Sequence, residues 1–323
     1  MNRGFWDTLP KPFFVLAPMY DVTDVAFRHV VSACGAPDVY VTEFVSSDGL
    51  SSPVGREHLM HHLLKEETNT PLVAQIFGAH PEKFTETAKF VASLGFQGID
   101  INMGCPDKNI IKGGSCAALF KTPELAREII EATKAGGGNL PVSVKIRIGD
   151  TRIDWENWIA TLLKAKPAVI SVHLRTRKEM SKVPAHWELM SDIVTMIRRS
   201  IIVDDQPLII GNGDVLTLQD AKQKVRDTGC DGVMIGRGIF QNPWTFVEDV
   251  PLSHSLEKKA ELLLLHARTY EKYFAGIKPF EPLKRFYKIY INGFDGASEL
   301  REELYAATSS TQIEEILKAH KLL

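Results

Sequence analysis

A closed (β/α)8 TIM barrel followed by a small all-helical domain is predicted by three observations: eight short apolar runs, helical patterns between them, and loss of all strand signal after Pro251. The runs are FFVLAPM at 13–19, VYVTEF at 39–44, LVAQIFG at 72–78, GIDINMG at 98–104, VSVKIRIG at 142–149, AVISVHLRT at 168–176, PLIIGNGD at 207–214 and DGVMIGRG at 231–238. They are apolar on both faces, as parallel strands covered by crossover helices must be. Eight βα units in about 250 residues fit a barrel, whereas a doubly wound sheet more often stops at about six strands.

The helices between the runs are legible. Residues 81–94 carry Phe84, Ala88, Val91 and Ala92 at helical spacing, and Gly95 stands where a stop is expected. Thr122 and Pro123 supply an N-cap and a first-turn proline for ELAREIIEATKAGGG, whose glycines end it. Residues 256–275, 281–292, 298–307 and 311–320 read as helices. This divides the chain into a barrel at 1–250 and a helical domain at 251–323, with no flexible linker between them.

Composition narrows the class. The chain has 323 residues, 38 Lys plus Arg against 40 Asp plus Glu, 44% hydrophobic content and 4 Cys, which excludes disorder and a disulfide scaffold. No run approaches the roughly 18 apolar residues of a spanning helix, and the N-terminus lacks a basic segment followed by an apolar one. A cytoplasmic protein is expected, with no membrane association. Cysteines 34, 105, 116 and 230 form no CxxC, so free thiols and no metal are expected. The near-neutral charge permits a nucleic-acid partner without pointing to one.

A strand buried on every side has no structural use for polar side chains, so those near its C-terminal end are where chemistry is sought. Nearly every run has one: Met19, Glu43, Gln75, Asn102 with Cys105, Lys145 with Arg147, His173 with Arg175, Asn212 with Asp214, and Arg237. Singly, each reads as a satisfied core group; together they mark one end of the barrel. GNGD at 211–214 and GRG at 236–238 follow the last two runs, where barrels often bind a phosphate through backbone N–H groups, with Arg237 able to add a charge-assisted contact. No GxGxxG with a downstream acidic residue occurs. In NMGCPDKNIIKGGSC at 102–116, Cys105 follows the strand, Pro106 blocks immediate helix formation and Gly113-Gly114 loosens the loop. A thiol is thus presented at the mouth, as proton donor or nucleophile, whereas Cys34, Cys116 and Cys230 read as small buried hydrophobes.

These residues resemble the tRNA-dihydrouridine synthases, flavoenzymes that reduce specific uridines of tRNA. The resemblance is carried by APMYDVTDVAFR at 17–28, TEF at 42–44, QIFG at 75–78, DINMGCP at 100–106, VKIRIG at 144–149, VHLRTR at 172–177, GNGD at 211–214 and MIGRGIFQNPW at 234–244, in the family's order. It implies FMN held by Ala17, Pro18 and Met19, with Gln75 and Lys145 near the ring and His173, Asn212, Gly213, Asp214, Gly236 and Arg237 at the phosphate. It also implies Cys105 as proton donor, Asn102, Arg147 and Arg175 as partners of the substrate, and NADPH as reductant. The tail, with LKRFYKIYINGF at 283–294, is similar to the family's tRNA-binding domain, and Lys278, Lys284, Arg285 and Lys288 with Tyr287 and Tyr290 are its candidate RNA surface. A monomer is expected. Tyr20-Asp21 and Leu174 stand where the family commonly has small residues or glycine. Two alternatives stay open: a flavin barrel acting on free pyrimidines, and an RNA-binding module without catalysis.

Overall fold

The computed structural model describes residues 1–200, 205–248 and 254–323. Among them, nine parallel strands form one sheet: β1 (Phe13–Leu16), β2 (Val39–Val41), β3 (Val45–Ser46), β4 (Leu72–Phe77), β5 (Gly98–Asn102), β6 (Val142–Arg147), β7 (Val169–His173), β8 (Leu208–Asn212) and β9 (Gly232–Ile235). Pairing of β1 with both β2 and β9, and of β2 with β4, closes the sheet into a ring. The run at 39–44 is interrupted: residues 42–44 leave the ladder and the two-residue β3 resumes it against β4. Counting β2 and β3 as one stave gives the eight expected.

Period two along each strand explains where polar groups collect. On one side of their strands, Val73 precedes Gln75, Val169 precedes Ser171 and His173, and Leu208 and Ile210 precede Asn212. The first residues of these series join Trp6, Phe13 and Val15 in a small buried cluster that plugs the barrel floor. Their polar successors therefore stand above it, at the C-terminal end. Alternate residues such as Ile76, Ile170 and Ile209 face the helices in the larger core.

The helices follow the sequence signals closely. Pro81–Ser93 and Pro123–Gly137 each begin with proline, though Thr122 stands at the N-cap without a side-chain cap hydrogen bond, contrary to its expected role. The two helices pack so closely that a Cβ on Gly136 would lie 2.2 Å from the Thr85 carbonyl oxygen. Helix Leu256–Phe274 opens the tail and packs on Val25–Cys34, and Phe27 stacks on Phe286 at 5.2 Å between ring centroids. The expected boundary at 250/251 lies outside the described residues.

One tail segment needs correction. The stretch expected as a single helix over 281–292 is a 3-10 turn, Glu281–Phe286, followed by the short helix Tyr287–Tyr290. Tyr287 and Tyr290, expected on an RNA-facing surface, are fully buried: Tyr287 stacks on Tyr305 and the Tyr290 hydroxyl lies 3.0 Å from His266 Nδ1. Lys284 Nζ donates to the Tyr305 carbonyl at 2.7 Å. Arg285 and Lys288 remain exposed. Among the described residues no helix is long and apolar enough to cross a membrane.

Because Phe286 is buried between barrel and tail, Phe286→Ala should cost about 3–5 kcal/mol of stability, as truncation of a core aromatic does. Urea unfolding of the full chain measures it; a loss below about 1 kcal/mol would show that the tail is not part of the cooperative unit.

Candidate active site

A cavity of about 740 Å³ opens at the C-terminal ends of the strands. Ala17, Pro18 and Met19 after β1, Asn102 and Cys105 after β5, and Lys145 and Arg147 from β6 lie on its wall. So do His173 and Arg175 after β7, Asn212, Gly213 and Asp214 after β8, and Gly236 and Arg237 after β9. Of the strand-end residues singled out from the sequence, Gln75 and Glu43 are absent from the wall: Gln75 is fully buried one layer beneath, joined to the wall through Asn102. Glu43 is likewise buried, its Oε1 accepting the Asp21 amide at 2.6 Å.

Register builds the floor of this cavity. Gln75 pairs with Asp100, Asp100 with Ser143 and Asn102 with Lys145, so their side chains share a face. Ser143 and Gln75 donate to the two oxygens of Asp100, and Asn102 Nδ2 donates to Gln75 Oε1 at 3.0 Å. Burial pushes the Asp100 carboxyl up to about 6, against those hydrogen bonds. Asn102 Oδ1 accepts the amides of both Gly104 and Cys105 at 3.0 Å. The loop bearing the thiol is therefore anchored to three strands.

The rest of the wall is cationic. Lys145, Arg147, His173, Arg175 and Arg237 line it, with Asp214 the one carboxylate among the described lining residues. Burial, reinforced by Arg147, lowers Lys145 to about 8; its Nζ donates to Asn212 Oδ1 at 3.2 Å. Burial lowers Arg147 to about 10, and burial plus four neighbouring cations takes His173 well below its ordinary value. Arg175 Nη1 donates toward His173 Nε2 at 3.4 Å, which leaves Nδ1 as the protonated nitrogen of the neutral ring. Asp214 is clamped between Arg175 and Arg237, and these bonds outweigh burial to keep its carboxyl low. Much of the arginines' donor capacity is structural: Arg147 binds the carbonyls of Gly104 and Thr176 at 2.7 and 3.1 Å, and Arg175 that of Val183 at 2.7 Å. A Cβ at Gly213 would lie 2.6 Å from the Ala185 methyl, so only glycine fits this turn.

Left-handed backbone in non-glycine residues gathers here. Asp21, Cys116, Met180 and Asp214 have φ of 56°, 55°, 53° and 53°, and all four lie at or beside the mouth. Such conformations cost energy and concentrate at functional sites.

Residues 15–322 match the family described as Dihydrouridine synthase (Dus). The chain belongs to that family. The Probable tRNA-dihydrouridine synthase 2 of Bacillus subtilis (strain 168) is 46% identical over 319 residues, spanning 98% of this chain and 96% of the relative. The Probable tRNA-dihydrouridine synthase of Staphylococcus epidermidis (strain RP62A) is 47% identical over the same span and shares. Among solved structures, 2-naphthoyl-CoA reductase aligns with a TM-score of 0.52 at 11% identity, over 72% of this chain and 49% of that one. An old yellow enzyme homologue from Zymomonas mobilis aligns at 0.50 and 13%, over 74% and 89%. At such identities these two likenesses speak to the barrel alone.

In this member of the dihydrouridine synthase family, several wall residues were not among the site residues expected from the sequence. Tyr20 and Phe44 flank Cys105, and Met180, Leu216 and Gln241 complete the rim. Cys116, expected to be an inert hydrophobe, is buried beside Cys105, close enough for a hydrogen bond between the thiols to govern the ionisation of Cys105. That bond leads the influences holding Cys105 down at about 7 despite burial, whereas burial drives Cys116 far up. Among the described residues no group of three or more His, Cys, Asp or Glu is placed to hold a metal ion.

A thiolate alkylates and a thiol does not, so reaction of Cys105 with iodoacetamide should rise through about pH 7. Cys116→Ala removes the donor to the thiolate, raising the Cys105 pKa and moving that midpoint to higher pH. A midpoint unchanged in the variant, measured by mass spectrometry across pH, would remove Cys116 from this role.

Proposed function

We propose that this protein is a tRNA-dihydrouridine synthase that reduces the C5=C6 bond of specific tRNA uridines with electrons from NADPH, and that its cofactor is FMN. The observation that carries the reading is one cavity walled by an accessible thiol, a deep lysine and an arginine–aspartate–arginine cluster. The names of the relatives point to the same substrate.

The donor set fits FMN. A cationic wall with a single carboxylate is suited to a ligand bearing a phosphate and a second anionic edge. Gly213, Gly236 and Arg237, with His173, Asn212 and Asp214, would hold the phosphate end, while Ala17, Pro18 and Met19 would bound the ring. Lys145 would lie along the pyrimidine edge of the flavin, where a cation stabilises the reduced anion. Gln75 supports this wall from below through Asn102. The chemistry FMN supplies when bound is hydride transfer, taken from NADPH and given to uracil C6.

The chain's own groups handle the proton. Conjugation with the C4 carbonyl makes uracil C6 electrophilic and leaves C5 basic once a hydride has added, so C5 needs an acid. Cys105 is that acid: its S–H bond breaks as C5–H forms, and the resulting thiolate accepts the hydrogen bond of Cys116. Asn102, with one Nδ2 hydrogen committed to Gln75, has one left for the uracil edge. Arg147 and Arg175 act on the substrate side while tying the loops together. Uridine must be everted to reach this depth. The helical unit, 251–323, would hold the RNA body, with Arg285 donating to the Asp21 carbonyl at 3.1 Å right beside the mouth. The protein would work as a cytoplasmic monomer.

Purified protein should be yellow, be bleached by NADPH, and restore dihydrouridine to tRNA from cells lacking the gene. Colourless protein that binds tRNA would overturn the enzyme assignment. Cys105→Ala should keep colour and tRNA affinity while losing at least about 100-fold in turnover; wild-type rates would remove its role. Lys145→Ala should slow bleaching by NADPH, and an unchanged rate and spectrum would displace that lysine from the flavin. Arg285→Glu should raise KM for tRNA while bleaching by NADPH stays unchanged; equal KM would take the tail off the RNA path.

A further inference from the structure

Beside the first cavity lies a second, of about 510 Å³, which shares Tyr20, Phe44 and Cys105 with it. Its remaining walls are mostly apolar, with Phe77, Leu59 and Ile110 the largest. The aromatic rings form a connected corner: Tyr20 and Phe44 are 5.2 Å apart between centroids, Tyr20 and His62 5.3 Å, and Phe44 and Phe77 meet edge to face at 5.4 Å. Tyr20 is 50% exposed, so its ring is available to a visitor.

Asp107 and Ser46 on this wall are partly engaged by their own loops. Asp107 Oδ1 accepts the amides of Asn109 and Ile110, and Ser46 Oγ accepts that of Gly49. His62 is buried with Nδ1 3.3 Å from Glu43 Oε2, a contact too poorly aligned for either atom to be hydrogen-bonded. Such a pocket offers ring faces rather than a hydrogen-bond code, and its volume lies within the range of small-molecule sites.

We propose that the second cavity receives the base next to the target uridine in the RNA strand, held by stacking with little regard to its identity. The proposal rests on the function argued above and goes beyond it by assigning a second nucleotide subsite. Three features carry it. Everting one nucleotide unstacks its neighbour, which then needs a new apolar face. The two cavities meet at Cys105, so whatever enters the second is adjacent to the reacting base. Arg285, docked on Asp21 next to Tyr20, puts a cation at the rim near the phosphate joining two such nucleotides.

The test uses full-length protein and tRNA transcripts in which the nucleotide on either side of the modified uridine is made abasic in turn. One of the two should raise KM about tenfold with kcat within about twofold, equal to about 1.4 kcal/mol and inside the range of one base–aromatic stack. Swapping that base for the other three should change KM less than about threefold. Phe77→Ala, which touches only the second cavity, should raise KM for intact tRNA and erase the abasic penalty, leaving bleaching by NADPH unchanged. If Phe77→Ala fails to fold, Ile110→Trp, which fills the space, should give the same pattern. In addition, 2-aminopurine at the flanking position should be quenched on binding Cys105→Ala protein. Wild-type protein that makes dihydrouridine but ignores both abasic sites overturns the subsite alone, as does a Phe77→Ala effect on NADPH with none on tRNA. Wild-type protein that makes no dihydrouridine in intact tRNA overturns the underlying reading and the subsite with it.

Discussion

The side-chain amide of Asn102 is the constraint on which the mouth of this barrel depends. Its oxygen gathers two successive backbone amides, of Gly104 and Cys105, and its nitrogen ties that gathering to Gln75, Asp100 and Ser143. A loop that begins with glycine and proline neighbours has little order of its own. Here it inherits the rigidity of β4, β5 and β6. Hydrolysis of the amide to a carboxylate would keep the acceptor and delete the donor, breaking the chain of bonds at its first link and stranding the Gln75 oxygen in a dry interior.

Charge provides the second organising force. Four cations and a histidine face one cavity, and the single carboxylate among the described lining residues is shared by two arginines. The lowered values of Lys145, Arg147 and His173 arise first from burial, and in each case mutual repulsion adds to it. An anion entering the cavity would relieve that repulsion while satisfying donors, which is the setting the proposed phosphorylated cofactor requires. The thiol couple obeys the same economy: the deeply buried Cys116 keeps its proton, and lends it as a hydrogen bond to Cys105.

Much of this was legible because buried parallel strands leave a plain trace, and because inward polar residues near strand ends have few structural reasons to be there. Val169, Ser171 and His173 tell the story in one strand, passing from floor to mouth. What stayed hidden depends on how loops return. The break at 42–44 follows from Glu43 turning in to meet the Asp21 amide, and no local pattern announces it. Gln75 ends one layer low because its register partner is Asp100, two residues below the Asn102–Lys145 pair that reaches the wall. Cys116 lies eleven residues past its partner, so their meeting is a property of the folded loop. In the tail, the spacing of Lys284 and Lys288 suggested a basic helical face with tyrosines on it. The rings instead fill the core: Tyr290 brings its apolar area in with its hydroxyl against His266, and Tyr287 stacks on Tyr305 with its hydroxyl buried without a hydrogen-bond partner among the described residues.

Tyr20 and Asp21 form a stretch that answers to both halves of the molecule: one ring borders the two cavities, and the next carbonyl receives Arg285 from the tail. Drift in the tail that re-aimed this arginine would be felt at the threshold of the barrel long before it disturbed any bond-making group. Under the function proposed above, a change confined to this tail contact would alter which uridine is presented while leaving the reductive machinery untouched.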